Sequence, residues 1–277
     1  MERTILITGC SRGGIGYATA VALKRRGYRV FATARREEEV AALIAEGFEA
    51  YRLDVTDSGS IDAALQAIFE KTGGGLDALF NNAGYGQPGA LEDIPTDALR
   101  EQFETNVFGL HELTRRLIPV MRRQGHGRIL QHSSVLGLIS LRFRGAYNAS
   151  KYAIEGLCDT LRLELMNENI FVSTLNTGPI RSKFRENATK KFLDAVDMQH
   201  SIHKEEYESE VLKRKEKKEE RDGFTKDPDV VVERVIHALE SKKPKPRYYI
   251  TTATYLLGNF KRLLCTSCLD RLLRAIQ

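Results

Sequence analysis

The stretch T-I-L-I-T-G-C-S-R-G-G-I-G, residues 4–16, decides the fold of this chain. Its first five residues are apolar or β-branched and predict a buried strand. The glycine-rich turn that follows leads into a helical run from Tyr17 to Arg26. This order of elements is typical of a dinucleotide-binding unit, because the free N–H groups at a helix start attract phosphate. A plain tight turn is the alternative, and the flanking strand and helix favour nucleotide binding.

Strands and helices alternate along the rest of the chain. Further strands are predicted at residues 29–34, 50–55, 78–80, 128–134, 171–176 and 247–251, and helices at 37–46, 60–71, 96–121, 147–167 and 227–239. Repeated β-α units predict an α/β protein with a Rossmann-like, doubly wound, seven-stranded and mostly parallel sheet that carries helices on both faces. We expect residues 1–277 to form a single domain of this kind.

Two segments depart from the alternation. Residues 183–226 include a run, 201–222, in which 15 of 22 residues are charged. We expect a helical lid over the substrate here, and a surface helix without substrate contact is the alternative. Residues 255–277 predict an amphipathic C-terminal helix. Its apolar residues recur every fourth position: Leu256, Phe260, Leu264, Cys268 and Leu272. Packing on the core or in an oligomer contact is favoured over contact with a membrane surface.

Composition narrows the class of protein. The formal net charge of +5 is too small for a nucleic-acid-binding surface and fits an anionic ligand such as a phosphorylated cofactor. No apolar run approaches the ~20 residues of a membrane span, and residues 1–3 lead into the first strand without a signal peptide. We therefore expect a cytoplasmic location. No metal site is expected, because Cys265 and Cys268, like His200 and His203, lack further ligands nearby.

The residues after the second strand predict which dinucleotide binds. An NAD-specific site usually carries an acid here for the ribose 2′-hydroxyl, whereas this chain has Arg35 and Arg36 and no acid before Glu37. Arginine suits a 2′-phosphate, and Arg12 in the glycine turn is a second candidate for the same group. We predict NADP(H); the alternative is that Arg35 and Arg36 cap and solubilise the next helix. Asp54 ends the third strand, where it would bind the adenine amino group or cap the following helix.

Tyr147 and Lys151 lie four residues apart in G-A-Y-N-A-S-K, so they share one face of a predicted helix. A free phenol has a pKa near ~10. A nearby ammonium favours the phenolate, which makes the pair a candidate proton-transfer device. Ser134 ends the fifth strand. Asn106 lies within a helix, where it either has a polar contact inside the protein or bonds its own helix. His132 is interpreted as a packed core histidine.

Five motifs in register resemble the short-chain dehydrogenase/reductase family between Thr4 and about Ser182: T-G-C-S-R-G-G-I-G, N-N-A-G at 81–84, Asn106, Ser134 and Y-N-A-S-K. The resemblance implies a catalytic tetrad of Asn106, Ser134, Tyr147 and Lys151. It also implies cofactor contacts from the glycine turn, the strand ends, the tetrad and the segment after the sixth strand: Gly9, Ser11, Arg12, Gly14, Ile15, Gly16, Arg35, Asp54, Val55, Asn82, Ala83, Gly84, Tyr147, Lys151, Gly178, Ile180 and Ser182.

The implied activity is reduction of an apolar aldehyde or ketone by hydride transfer from NADPH, with Tyr147 as proton donor. The overall character is closest to bacterial aldehyde and ketone reductases akin to retinol and hydroxysteroid dehydrogenases. The alternatives are a hydroxysteroid, retinol or 3-oxoacyl dehydrogenase and, in a different class, a non-catalytic nucleotide-sensing protein. The family also implies a small-molecule substrate and a homo-oligomer, dimer or tetramer, built through the helices around residues 105–121 and 150–165.

This chain departs from the family pattern at three places. The glycine turn has one residue more between Gly9 and Gly14 than the usual T-G-x-x-x-G-x-G. Thr177-Gly178 replaces the usual P-G, and Ser182 stands where a threonine is usual. We expect these departures to alter how the cofactor sits while leaving the chemistry unchanged.

Overall fold

The computed structural model describes residues 3–209 and 225–276. Its strands form one sheet in the order β3-β2-β1-β4-β5-β6-β7. They are β1 Thr4–Ile7, β2 Arg29–Ala34, β3 Glu49–Arg52, β4 Ala78–Asn81, β5 Gly127–Ser134, β6 Ile170–Thr177 and β7 Arg247–Ile250. Every pairing within this sheet is parallel. The predicted α/β class and seven-stranded Rossmann-like sheet are confirmed.

Helices cover both faces of the sheet. They are α1 Ile15–Arg25, α2 Glu37–Ala45, α3 Ser58–Thr72, α4 Thr96–Phe103, α5 Gly109–Gln124, α6 Gly145–Glu164, α7 Phe184–Ala195, α8 Asp229–Glu240, α9 Thr252–Leu263 and α10 Thr266–Ala275. Apolar residues of α1, α2 and α8 form one buried core with the sheet. Those of α3, α5 and α6 form another core on the opposite face. Strands covered on both faces have long apolar runs, which explains T-I-L-I in β1.

The strand order reverses at β1. β2 and β3 lie to one side of it and β4 to β7 to the other. In a sheet of this kind the connections leave the two sides in opposite directions, so a crevice opens at the carboxyl ends of the central strands. The glycine turn, which follows β1, and N-N-A-G, which begins at the end of β4, therefore meet at this crevice.

Asp57, and not Asp54, caps α3. The Asp57 carboxylate accepts hydrogen bonds from the backbone N–H groups of Gly59 and Ser60, at 2.9 and 3.2 Å. The Asp54 carboxylate instead accepts from the N–H and the hydroxyl of Thr56, at 3.0 and 2.8 Å. The interpretation of Asp54 as the cap of the next helix is therefore wrong. A carboxylate that bonds two residues ahead closes its own turn.

The helix predicted over residues 96–121 is interrupted in the middle. α4 ends at Phe103, a π-helical turn spans Glu104–Phe108, and α5 begins at Gly109. A π-helical turn holds one residue more than an α-helical turn and is frequent at functional sites. Asn106 lies within it. The sequence pattern did not reveal this interruption, because all three segments are helical and follow one another without a break in the chain of helical residues.

The C-terminal segment forms two helices, and the prediction of a single helix with every fourth residue buried is wrong. Leu264 and Cys265 have extended backbone between α9 and α10. This break changes the phase of the apolar pattern. Leu256 and Cys268 are exposed, whereas Leu269 and Leu273 are buried. The break lets both helices pack against the same cluster.

The segment predicted as a lid is described in part. α7 covers residues 184–195, and residues 204–209 are also helical. Most of the charged run falls in 210–224, outside the described residues. Within the described chain no helix is long and apolar enough to cross a membrane. In the same residues, no group of three or more His, Cys, Asp or Glu side chains is placed to hold a metal ion.

Candidate active site

The glycine turn brings the backbone of α1 against the end of β1. A Cβ added to Gly16 would lie 2.5 Å from the Gly9 carbonyl oxygen and 2.5 Å from Asn82 Nδ2. No side chain fits at that distance, so only glycine allows this approach. Gly9 itself has φ +70°, a left-handed conformation that glycine adopts without strain. The turn is therefore shaped as a backbone cradle at the crevice.

The start of α1 is open to an anion. Gly14 occupies the N-cap, no side chain caps the helix, and its first turn contains no acid. The N–H groups there are left for a ligand, and phosphate is the group they suit best. The additional residue of this turn is accommodated by Gly13, with φ +81°, and the Gly14 N–H donates to the Ser11 carbonyl at 3.1 Å. The turn thus keeps the features that a dinucleotide pyrophosphate requires.

A chain of hydrogen bonds joins the carboxyl ends of the central strands. Asn82 Nδ2 donates to the carbonyls of Thr8 and Gly9, at 2.9 and 3.0 Å. Its oxygen lies 2.9 Å from His132 Nδ1, and His132 Nε2 lies 3.2 Å from the Thr177 hydroxyl. Burial, and secondly the charge of Lys151, lowers the pKa of His132 to about 3, so the imidazole is neutral. His132 therefore links strands and is more than the packed core residue expected.

Lys151 is buried beside Tyr147. Its ammonium donates to the His132 carbonyl at 2.6 Å and lies 5.5 Å from the centre of the Tyr147 ring. Burial lowers the pKa of Lys151 to about 8, and the nearby Glu155 carboxylate opposes this effect. Lys151 is therefore still protonated at neutral pH. The structure places the two side chains together, as their spacing predicted.

Tyr147 and Ser134 meet at the end of β5. Burial raises the pKa of the Tyr147 phenol, and a hydrogen bond with Ser134 has the opposite, smaller effect. The Ser134 hydroxyl also accepts from the Leu136 N–H at 3.1 Å, which fixes its position. Tyr147 therefore holds its proton at neutral pH, next to a hydroxyl and an ammonium. This set can donate a proton and hydrogen bonds to a polar group that binds beside it.

Asn106 bonds outside its own helix. Its oxygen accepts from the Tyr85 N–H at 3.1 Å, and its Nδ2 donates to the Tyr85 carbonyl at 2.9 Å and to the Ser150 hydroxyl at 3.2 Å. The interpretation that Asn106 has a polar contact inside the protein, and does not bond its own helix, is therefore the correct one. A Cβ on Gly84 would lie 3.0 Å from this amide oxygen, so Gly84 leaves room for it. Asn106 thereby joins the segment after β4 to the helix that carries Lys151.

The predicted cations differ in their partners. Arg12 forms an ion pair with Glu46 beyond the end of α2. Arg36 pairs with Glu39 at 2.6 Å, so it serves the helix that it begins. Arg35 is exposed and forms no ion pair within residues 3–209 and 225–276. Of the three, Arg35 is the guanidinium left for a ligand at the end of β2.

The remaining residues predicted to contact the cofactor have local contacts of several kinds. Ser11 hydrogen-bonds Glu39. Val55 is buried, and its carbonyl oxygen would lie 2.4 Å from a Cβ on Gly109. After β6, Gly178 packs against the Thr251 side chain, Ile180 is buried and pairs with Lys226, and the Ser182 hydroxyl accepts from the Phe184 N–H at 3.4 Å. Ile15 and Ala83 are half-buried against the two cores.

Two residues that sequence reasoning did not assign to the cofactor or to Tyr147 begin α7. The Lys183 stem reaches within 3.4 Å of where a Cβ on Gly13 would be, so this side chain crosses the glycine turn. The Phe184 ring lies 5.4 Å from the Tyr147 ring. The available signal for these two residues was a basic and an aromatic side chain directly after Ser182, at the start of the segment predicted as a lid. The start of the segment predicted as a lid thus lies beside both the glycine turn and Tyr147.

Glu155 was also missed. It lies one helical turn beyond Lys151, accepts from Asn176 Nδ2 at 2.7 Å and pairs with Arg247 at 2.9 Å. Arg247 also bonds Asp159 at 2.5 Å. The spacing of four residues from Lys151 was the available signal. This buried carboxylate helps to keep Lys151 charged.

A doubly wound parallel sheet, an uncapped glycine turn and a tyrosine-lysine-serine cluster define the class of nicotinamide-dependent oxidoreductases with a Rossmann-like domain. A model of the short chain dehydrogenase family matches residues 3–192. The chain belongs to the short-chain dehydrogenase family and is an oxidoreductase of that family.

Comparison with known proteins shows which members the chain resembles. It is 39% identical over 274 residues to the "Uncharacterized oxidoreductase YbbO" of Escherichia coli (strain K12), covering 99% of this chain and 95% of that protein. It is 35% identical over 267 residues to human 17-beta-hydroxysteroid dehydrogenase type 1, covering 91% and 78%. The crystal structure of a variant of actinorhodin polyketide ketoreductase with NADPH superposes with a TM-score of 0.73 at 26% identity, covering 89% of this chain and 94% of that one.

Proposed function

We propose that this protein is an NADPH-dependent reductase that converts an apolar aldehyde or ketone to an alcohol. The observation that carries the proposal is the Tyr147 phenol. Burial raises its pKa and Ser134 beside it has a smaller, opposite effect, while the Lys151 ammonium lies 5.5 Å from the centre of its ring. A non-catalytic nucleotide sensor would have no need for this costly buried cluster.

Each side chain has a role in the proposed reaction. NADPH, when bound, supplies the hydride. Ser134 donates a hydrogen bond to the carbonyl oxygen as negative charge develops there. Tyr147 gives its proton to that oxygen, and the Lys151 charge brings the phenol pKa closer to the working pH. Asn106 holds the backbone at Tyr85 and bonds Ser150, and it would position a water that relays protons to Lys151.

Residues of the crevice would hold the cofactor in the proposed enzyme. The glycine turn and the start of α1 would bind the pyrophosphate, with Lys183 as an additional cation beside it. Asp54 is proposed for the adenine amino group. Lys151 is proposed for the nicotinamide ribose, and Gly178, Ile180 and Ser182 for the nicotinamide end. Arg35 would bind the 2′-phosphate, because it is exposed and has no carboxylate partner in the described chain.

Arg35→Asp should reverse the cofactor preference. The substitution removes a charge-assisted bond to the 2′-phosphate and adds an acceptor for a ribose hydroxyl. We expect the NADPH Michaelis constant, relative to that for NADH, to rise at least about tenfold. Arg36→Gln is the matched control, since Arg36 is already paired with Glu39. An unchanged ratio in Arg35→Asp, or an equal change in Arg36→Gln, would refute the assignment of the 2′-phosphate site.

An apolar substrate is supported by the surroundings of Tyr147. Phe184 lies on the phenol ring, and Val135, Leu136 and Ile139 form an apolar cluster that Tyr147 joins. A hydrophobic wall of this kind discriminates by size and shape. The similarity to a human hydroxysteroid dehydrogenase adds steroid ketones as a second candidate class of substrate.

Phe184→Ala should selectively weaken the reduction of large apolar carbonyl compounds. Removing the ring opens the space over Tyr147, so we expect kcat/KM for aromatic and retinoid aldehydes or steroid ketones to fall about tenfold, with little change for short aliphatic aldehydes. Leu193→Ala on the same helix is the control, because Leu193 is 51% exposed. NADPH absorbance follows both against one panel of carbonyl compounds. A uniform loss across the panel would contradict a wall of the substrate site.

We also propose a cytoplasmic homo-oligomer, a dimer or tetramer. Support comes from the outer side of α6 and the adjoining π-helical turn, where Phe108, Leu157, Leu163 and Met166 are exposed. Exposed large apolar side chains on these helices are groups that such an interface would bury. Sedimentation equilibrium of the purified chain measures the mass, and a monomer at working concentrations would contradict this part.

A further inference from the structure

The two C-terminal helices have an inner and an outer side. Leu257, Phe260 and Leu264 pack inward, as do the buried Leu269 and Leu273 of α10. On α9, Leu256 and Leu263 are seven residues apart and share one helical face, which lies beside the inward-packing Phe260. They are 49% and 80% exposed. Exposed leucines at helical spacing on a packed helix mark a surface that contacts something else.

The cations of this segment lack partners. Lys261, Arg262, Arg271 and Arg274 are exposed, and within residues 3–209 and 225–276 none of them forms an ion pair. Asp270 is the single acid in residues 252–276. Elsewhere in the described chain most arginines are paired with carboxylates. The C-terminal segment therefore combines exposed leucines with an unneutralised positive charge.

We propose that the exposed side of α9 and α10 is a docking surface for an anionic phospholipid membrane. We call it the tail surface and define it by its leucines and arginines: Leu256, Leu263, Arg262, Arg271 and Arg274. Leucines enter the acyl boundary while basic residues meet the lipid phosphates, a combination typical of interfacial helices. A second copy of the chain is less suited, because a two-fold contact would bring the cations against one another.

The tail surface lies close to the candidate active site. The inner sides of α9 and α10 pack on Val135, Leu136 and Ile139, in the cluster that includes Tyr147. A membrane-bound chain would therefore hold its substrate pocket next to the lipid. If the proposed function holds, the substrate would be a carbonyl compound dissolved in the bilayer. This consequence rests on the proposed function, whereas the docking itself does not.

Vesicle sedimentation tests the docking. The full chain should pellet with vesicles of phosphatidylcholine mixed with phosphatidylglycerol, remain in solution with phosphatidylcholine alone, and be released by high salt. The double variants Leu256→Gln/Leu263→Gln and Arg262→Gln/Arg271→Gln should each lower the partition coefficient about tenfold. Matched controls are Ile44→Gln on α2 and Arg123→Gln on α5, both exposed positions, and these should bind as the wild type does.

Three outcomes would overturn the proposal. In the first, the wild type does not bind the anionic vesicles. In the second, the double variants bind them as well as the wild type does. In the third, the double variants bind as the wild type does but differ from it in molecular mass. The last outcome would assign the tail surface to a second copy. Thermal melts establish that the variants are folded. The double variants should turn over a water-soluble short aldehyde at the rate of the wild type. If the wild type reduces no carbonyl compound at all, the proposed function is refuted, and the vesicle result still stands by itself.

Discussion

Tyr147→Phe should lower kcat for carbonyl reduction about 10³-fold and leave the affinity for NADPH nearly unchanged. Phenylalanine keeps the ring whose centre lies 5.4 Å from that of Phe184 and removes the hydroxyl that we propose as the proton donor. The crevice that would bind the cofactor is formed mainly by backbone and by other side chains, so binding is expected to survive. NADPH absorbance measures turnover, and the change in NADPH fluorescence on titration measures the dissociation constant.

Tyr152→Phe provides the control for this result. Tyr152 lies on the same helix, and its hydroxyl donates to the Leu138 carbonyl at 2.7 Å, outside the Tyr147 cluster. Its loss should change kcat less than about twofold, since surface changes of this kind have small effects. Turnover of Tyr147→Phe close to that of the wild type would remove Tyr147 from the mechanism. A parallel loss of NADPH binding would instead indicate a disturbed crevice.

Lys151→Met should lower kcat about 10²-fold and shift the pH dependence of alcohol oxidation. Burial already raises the pKa of Tyr147. The Lys151 ammonium, 5.5 Å from the ring centre, is expected to favour the phenolate, and the variant lacks it. Oxidation needs the phenolate, so the variant should require a higher pH than the wild type to reach half its maximal rate. Lys191→Met is the control, because Lys191 is on the surface and paired with Glu101. An unchanged pH profile would contradict electrostatic tuning of Tyr147 by Lys151.

The same variant should change how stability depends on pH. Burial lowers the pKa of Lys151 to about 8 from its ordinary 10.5. Between these two values the unfolded chain binds more protons than the folded chain, so the free energy of unfolding contributed by Lys151 rises with pH. Below about pH 8 the buried ammonium is a cost to folding. Denaturant melts at about pH 7 and about pH 10 should show this rise in the wild type and its loss in Lys151→Met.

The fold was predictable because its signals are local. Short apolar runs separated by helical patterns placed every strand within about three residues of its bounds, and the glycine turn located the crevice. The Tyr147–Lys151 contact followed from helical spacing alone. The single-helix prediction for the C-terminal segment was wrong, because the break at Leu264 and Cys265 contains neither glycine nor proline. The break arises because both helices pack on one apolar cluster, and that cluster is formed by residues distant in sequence.

Side-chain pairing could not be predicted from sequence. Arg12, Arg35 and Arg36 have the same chemistry, and only the positions of Glu46 and Glu39 decide which of them is already paired. The hydrogen-bonded link from Asn82 through His132 to Thr177 also depends on strand order. It joins the ends of β4, β5 and β6, and only the structure of the sheet shows that these strands are neighbours.

The π-helical turn at Glu104–Phe108 restricts how this chain can change in length. Deleting one residue there would restore a regular helix, but it would rotate everything after the deletion by about 100° relative to α4. The apolar side of α5, which includes the buried Leu113 and Leu117, would then leave the core, or Asn106 would leave Tyr85. Single-residue deletions should therefore be tolerated in neighbouring loops and rejected in this helix. Homologous chains should keep the length of this segment even where its residues differ.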